Sequence, residues 1–290
     1  MLRPNRPPGP MISYPEQTAT ILEFILLFAG AGYLIWLLLS PAGRAIRLRP
    51  PVLQPWDLDP ARFLLLAWGV VATVVLGLVL VPVVFGAGLR ARPEGQVLER
   101  IVSGSMIDVG AIAAWLLARL ALPGWLHGSF DWDQRRSRAA SLRTGFLTFI
   151  AVVPIVAVTG VAWSALLQFL GLPTAPQELV DYFAEARSTL LLGTMIVLAL
   201  VVAPVSEELL FRAGLFRYLR TRVPRWLAFT LSAGIFAALH ANWTSFLPLF
   251  ILGVIFAVAY ERTGRIAVPM IAHALFNLNT LLLLLTHAAI

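Results

Sequence analysis

The sequence predicts an all-α, polytopic membrane protein. Three observations carry that expectation. The 290 residues are 59% hydrophobic and only 13% charged, where a soluble domain carries about 25% charged residues. Apolar runs of about 20 residues, the length that crosses a bilayer as a helix, recur along the chain. The arginines are concentrated in alternate connections between those runs, the asymmetry expected of membrane topology.

Eight spans are predicted in order. The first, 18–39, follows a Pro-rich tail, 1–17, expected to be disordered. It is longer than a signal-peptide core and no small-residue cleavage site follows closely, so it reads as a retained span. The second is 62–86. The third, 101–122, is weaker because it contains Asp108 and Arg119. The fourth is 143–170. The stretch 174–187, "TAPQELVDYFAEAR", reads as an amphipathic surface helix capped by Thr174, with Glu178 in its first turns. The fifth is 190–216, the sixth, 226–241, is short, the seventh is 245–260 and the eighth 266–285. Three regions follow: the tail 1–17, an N-terminal group of spans with the surface helix, 18–188, and a C-terminal core, 189–287.

Charge placement orients the chain. All 22 basic residues are arginine. Fourteen lie after odd-numbered spans, from Arg44 to Arg62, Arg135 to Arg143, Arg217 to Arg225, and at Arg262 and Arg265. Six lie on the other side: Arg3, Arg6, Arg90, Arg92, Arg100 and Arg187. The richer side is expected in the cytoplasm, with both termini outside. The net charge of +7 is explained by this topology and not by a nucleic-acid partner. Trp36, Trp56, Trp125, Trp226 and Trp243 fall near span ends as interfacial anchors. With no cysteine, disulfides, thiolate metal sites and thiol nucleophiles are excluded.

Against this background a few polar residues are out of place. "APVSEELLFRAGLF" puts Glu207, Glu208 and Arg212 in the fifth span. Ionisable groups there are expensive and point to function. At 100° per residue Glu208 and Arg212 share a face, while Glu207 points about 140° from Arg212. Arg212 should therefore neutralise Glu208 and leave Glu207 available for proton transfer. Pro204 removes a backbone donor and can kink the helix nearby. His240 follows Phe236 by one turn, and His273 and Asn277 share a face of the last span. Measured from Arg217 and Arg265, Glu207 and His273 lie at about 15 and 12 Å, with His240 deeper at about 21 Å from Trp226. Asn242 lies just beyond the sixth span. Asp108 and Arg119 read as structural.

These residues form three ordered motifs: E-E-x-x-x-R at Glu207, Glu208 and Arg212, F-x-x-x-H at Phe236 and His240, and H-x-x-x-N at His273 and Asn277. In this the chain resembles the CPBP family of intramembrane proteases, which includes CAAX prenyl endopeptidases and the Abi bacteriocin-processing or immunity proteins. The resemblance covers about 190–285. It implies a CAAX-protease-like helical bundle and a catalytic core at 189–287. It also implies Glu207 as the base that activates water, helped by His240, and His273 with Asn277 as oxyanion donors. Glu208 and Arg212 would hold the site together. A metal-free, glutamate-dependent mechanism is favoured; the alternative is zinc on Glu207, His240 and His273. The implied setting is a bacterial plasma (inner) membrane with the site open towards the cytoplasm. The substrate would be a membrane-associated or leader peptide or a membrane-protein segment, with no other cofactor. Two further readings are kept: a non-proteolytic scaffold or immunity protein that reuses the fold, and a transporter with a proton relay.

Overall fold

The structure is a computed structural model that describes residues 14–92, 94–122, 124, 135–174, 182–183 and 188–287. No strand occurs among them. Ten helices follow one another among the described residues: α1 Tyr14–Leu39, α2 Pro41–Leu48, α3 Pro60–Arg90, α4 Gly95–Gly104, α5 Met106–Ala121, α6 Arg135–Phe169, α7 Thr189–Leu219, α8 Arg225–Leu239, α9 Trp243–Thr263 and α10 Ala267–His287. Taken together, α4 and α5 make one membrane-length segment, Gly95–Ala121.

Among the described residues, seven segments are long and apolar enough to cross a membrane, where the sequence predicts eight spans. The exception is α8, whose 15 residues span about 22 Å against a hydrocarbon core of about 30 Å. Its limits have local causes. Pro224, extended at ψ 142°, precedes the first turn. Ala241 adopts φ 49° at the far end, and Asn242 then caps α9 by accepting from the Ser245 N–H at 2.9 Å. Asn242 is thus a cap. The short helix is accommodated as one arm of an antiparallel hairpin with α9, burying Ala228, Ala233, Phe236 and Ala237.

One helix was not foreseen. In α2, Ser40 accepts from the Gly43 N–H at 2.9 Å and Pro41 opens the first turn. Arg47 donates to the carbonyls of Leu37 and Leu38 and folds the helix back on the end of α1. The predicted surface helix 174–187 lies outside the described residues apart from Thr174, Tyr182 and Phe183, as does the tail up to residue 13.

The connections after α1, α7 and α9 meet at one end. There Glu261 is buried between Arg220 and Arg225, each at 2.6 Å. The N–H groups of Val52 and Leu53 donate to the Glu261 carbonyl, and Arg262 donates to that of Arg49 at 3.2 Å. Three arginine-rich connections therefore share one face of the bundle, as the charge asymmetry predicts. Trp56 is a correction to the anchor assignment. It is 4% exposed and packs with Trp115, Phe63 and Tyr218 in the core. Trp36, Trp226 and Trp243 are exposed, and Trp125 lies outside the described residues.

Helix α1 reaches the bundle through α6. A Cβ at Gly30 would sit 2.3 Å from the Ile150 carbonyl oxygen and 2.6 Å from Pro154, so a side chain would force the helices apart. Gly32, two residues on, faces open space. Gly30→Val should therefore lower stability by about 1–3 kcal/mol. Gly32→Val should stay within about 0.5 kcal/mol. Paired unfolding curves in detergent check the contrast.

Candidate active site

The site is built around an irregular stretch of α7. Leu198–Val202 and Glu208–Phe216 are π-helical, with a single α turn, Ala203–Glu207, between them. The Ala203 N–H bonds to the Leu198 carbonyl, five residues back. In that register the next donor would be residue 204, serving Ala199. Pro204 has no N–H. The Asn277 side chain of α10 fills the gap, its Nδ2 donating to the Ala199 carbonyl at 2.8 Å. Wide turns of this kind concentrate at functional sites.

The carboxylates then divide as expected. Arg212 Nη1 lies 3.0 Å from Glu208 Oε1, with the two side chains 1% and 0% exposed. The Arg212 guanidinium lies 4.4 Å from the Phe236 ring and 5.5 Å from that of Phe256, and its Nη2 donates to the Gly253 carbonyl at 3.4 Å. Phe236 of the second motif thus covers the cation and also meets the His240 ring edge-on at 4.9 Å. Cation–π contacts of this kind strengthen when desolvated. Glu207 is different: its side chain remains 20% exposed.

His273 straddles the pair. Its Nδ1 lies 3.0 Å from Glu208 Oε1 and its Nε2 3.7 Å from Glu207 Oε2. A carboxylate only accepts, so Nδ1–H donates to Glu208, and Nε2 is the nitrogen presented to Glu207. His240 Nδ1 bonds to the Phe236 carbonyl at 2.8 Å, which likewise puts the proton on Nδ1. The greater depth expected for His240 is not removed by a later start of its helix. It nevertheless reaches Glu207 electrostatically. All seven motif residues therefore gather at the middle of α7. His273 and Asn277 share a face as predicted, but they meet α7 at separate points.

Two residues were missed. The buried Ser206 hydroxyl donates to Asp108 Oδ1 of α5. Asp108 interacts electrostatically with Glu207, His240 and His273. Its signal in the sequence was the one that singled out Glu207, a carboxylate in an apolar span, but Asp108 lacked a partner at helical spacing. Beside the site, an apolar cavity of about 320 Å³ lies among α3, α5, α7 and α8, with Val70, Ala114, Gly214 and Leu239 in its walls.

Glu207, His240 and His273, the set named for zinc, do not form a three-donor cradle. Among the described residues no group of three or more His, Cys, Asp or Glu is placed to hold a metal ion.

Residues 189–279 match the family model described as type II CAAX prenyl endopeptidase Rce1-like. The chain is also similar to several curated proteins. The membrane-embedded CAAX protease MroQ of Staphylococcus aureus (strain USA300) is 39% identical over 84 residues, 27% of this chain and 34% of that protein. YdiL of Bacillus subtilis (strain 168), provisionally named a membrane peptidase, is 36% identical over 83 residues, 29% of this chain and 34% of its own. UPF0177 protein YbdI of Lactococcus lactis is 33% identical over 87 residues, 30% of this chain and 46% of its own. The chain thus spans a third to a half of the curated relatives it matches. No solved structure matches it.

The Glu208–Arg212 pair is buried and must be broken or replaced as a unit. Arg212→Ala strands the carboxylate and should cost about 3–5 kcal/mol. Arg212→Met combined with Glu208→Gln should recover most of that loss. Detergent unfolding midpoints of the three proteins check the difference.

Proposed function

We propose that this membrane protein, which carries an Rce1-like segment at residues 189–279, is an intramembrane endopeptidase that cleaves with water activated by Glu207. The observation that carries the reading is the contrast between the two carboxylates. Glu208 is fully buried and neutralised by Arg212, whereas Glu207 is partly exposed and faces His273. One holds the site together and the other is left to move a proton.

In the proposed reaction Glu207 takes a proton from a water molecule as its oxygen bonds to the peptide carbonyl carbon. His240, its Nδ1–H held by the Phe236 carbonyl, orients that water through Nε2. The oxyanion that forms is met by the second amide hydrogen of Asn277, whose first is held by Ala199. His273 donates there from Nε2 as an imidazolium, its Nδ1–H remaining on Glu208. Removing one such donor typically costs about 10²–10³-fold in rate. Glu207 then returns the proton to the amide nitrogen as the C–N bond breaks, giving an acid and an amine.

The substrate class that fits is a peptide or protein segment able to enter a site inside the bilayer, such as a leader peptide or a membrane-associated tail. The protein would sit in the plasma membrane with the site open on the arginine-rich, cytoplasmic side.

Glu207→Gln should abolish cleavage of a quenched peptide library while leaving the unfolding midpoint unchanged. Wild-type cleavage should persist in a chelator. Equal cleavage by wild type and Glu207→Gln would overturn the assignment, and loss on chelation with recovery on added zinc would overturn the metal-free route.

A further inference from the structure

We propose that Asp108 is a positioning residue of this site, contributed by a helix outside the matched segment, and that it acts through Ser206 on the turn carrying Glu207. The inference rests on Glu207 being the reacting carboxylate.

The turn needs such a tie because its backbone does not hold a single register. The Ala203 N–H reaches five residues back, Pro204 donates nothing, and the Glu208 N–H is shared between the carbonyls of Pro204 and Val205. An α turn of five residues between two π segments depends on side chains from other helices to fix its rotation. Two do so, from different helices. Asn277 of α10 grips Ala199, before Pro204. Asp108 of α5 accepts from Ser206, after Pro204 and directly before Glu207. Ser206 is fully buried, and its hydroxyl also lies 3.0 Å from the Ala203 carbonyl. Without Asp108 that hydroxyl would fall back on Ala203, a bond within its own turn that ties it to nothing else.

The position of Asp108 suits the task. It lies in the first turn of α5, whose next turns bury Ala111 and Trp115, so its backbone is held by packing. Within electrostatic reach are Glu207 of α7, His240 after α8 and His273 of α10. A shift of the Ser206 hydrogen bond therefore displaces Glu207 relative to both imidazoles. Misplacement by about 1 Å can cost about 10²-fold in rate.

The test uses the full chain in proteoliposomes with a cleavable quenched peptide, and amide hydrogen exchange of the segment 203–209. Asp108→Ala and Ser206→Ala should lower kcat by about 10²-fold with KM within about threefold of wild type. Exchange of 203–209 should accelerate in both while the global unfolding midpoint holds. Asp108→Asn keeps the Oδ1 acceptor, and should restore slow exchange and bring kcat to within about tenfold of wild type. Wild-type kcat and exchange in Asp108→Ala would overturn the proposal. So would an Asp108→Asn protein as impaired as Asp108→Ala, since charge and not the hydrogen bond would then matter. Glu207→Gln, assayed alongside, separates the two claims. If it cleaves like wild type, or if wild type cleaves nothing, the peptidase reading fails, while the exchange rates still decide whether Asp108 holds the turn.

Discussion

The rest of the site depends on neutralising one buried carboxylate. Glu208 has no exposed surface, and an isolated charge there would be expensive. Arg212 supplies the opposite charge, and His273 donates to the same oxygen, Oε1. Phe236 and Phe256 enclose the guanidinium. These contacts tie α7 to α8, α9 and α10 at one point. Buried ion pairs are poor sources of net stability but strong constraints on geometry once made. Here the constraint sets Nε2 of His273 beside the neighbouring Glu207.

Neutralisation alone does not place Glu207, because α7 is not a regular helix. A straight α-helix would separate Glu207 and Arg212 by about 140°. The π segment beginning at Glu208 widens the turn, so His273 stands within 3.0 Å of one carboxylate and 3.7 Å of the other. Pro204 makes this irregularity local. It removes the donor that Ala199 would need, and an amide from another helix takes its place. A backbone defect in one span thus becomes a specific joint between two.

Much of this was legible in the sequence, for identifiable reasons. The spans could be read because apolar length is decisive in a membrane. The Glu208–Arg212 pair could be read because i, i+4 spacing survives a change in helix pitch well enough to keep the two in contact. The sixth span reads as short, and α8 falls below membrane length because Pro224 and the turn at Ala241 set its limits, which hydropathy does not count. Trp56 reads as an anchor because nearness to a span end does not reveal that its loop folds back against the bundle. The π turns and the Asp108–Ser206 contact were hidden for a common reason. Each depends on which helices become neighbours, and no periodicity within one span encodes that.

This last point bears on how the chemistry is distributed along the chain. The three motifs lie in the C-terminal third, yet the turn that bears Glu207 is held from α5 as well as from α10. The apolar cavity is divided in the same way, with Val70 and Ala114 from the N-terminal helices facing Gly214 and Leu239. Gly214 is seven residues from Glu207, or about 10 Å along the helix, on the side of the arginine-rich face. The motif residues can therefore be identified from the C-terminal third alone, but the space beside them cannot. Two chains with the same three motifs and different helices before them would share the proton-moving groups and differ in what could approach those groups through the bilayer.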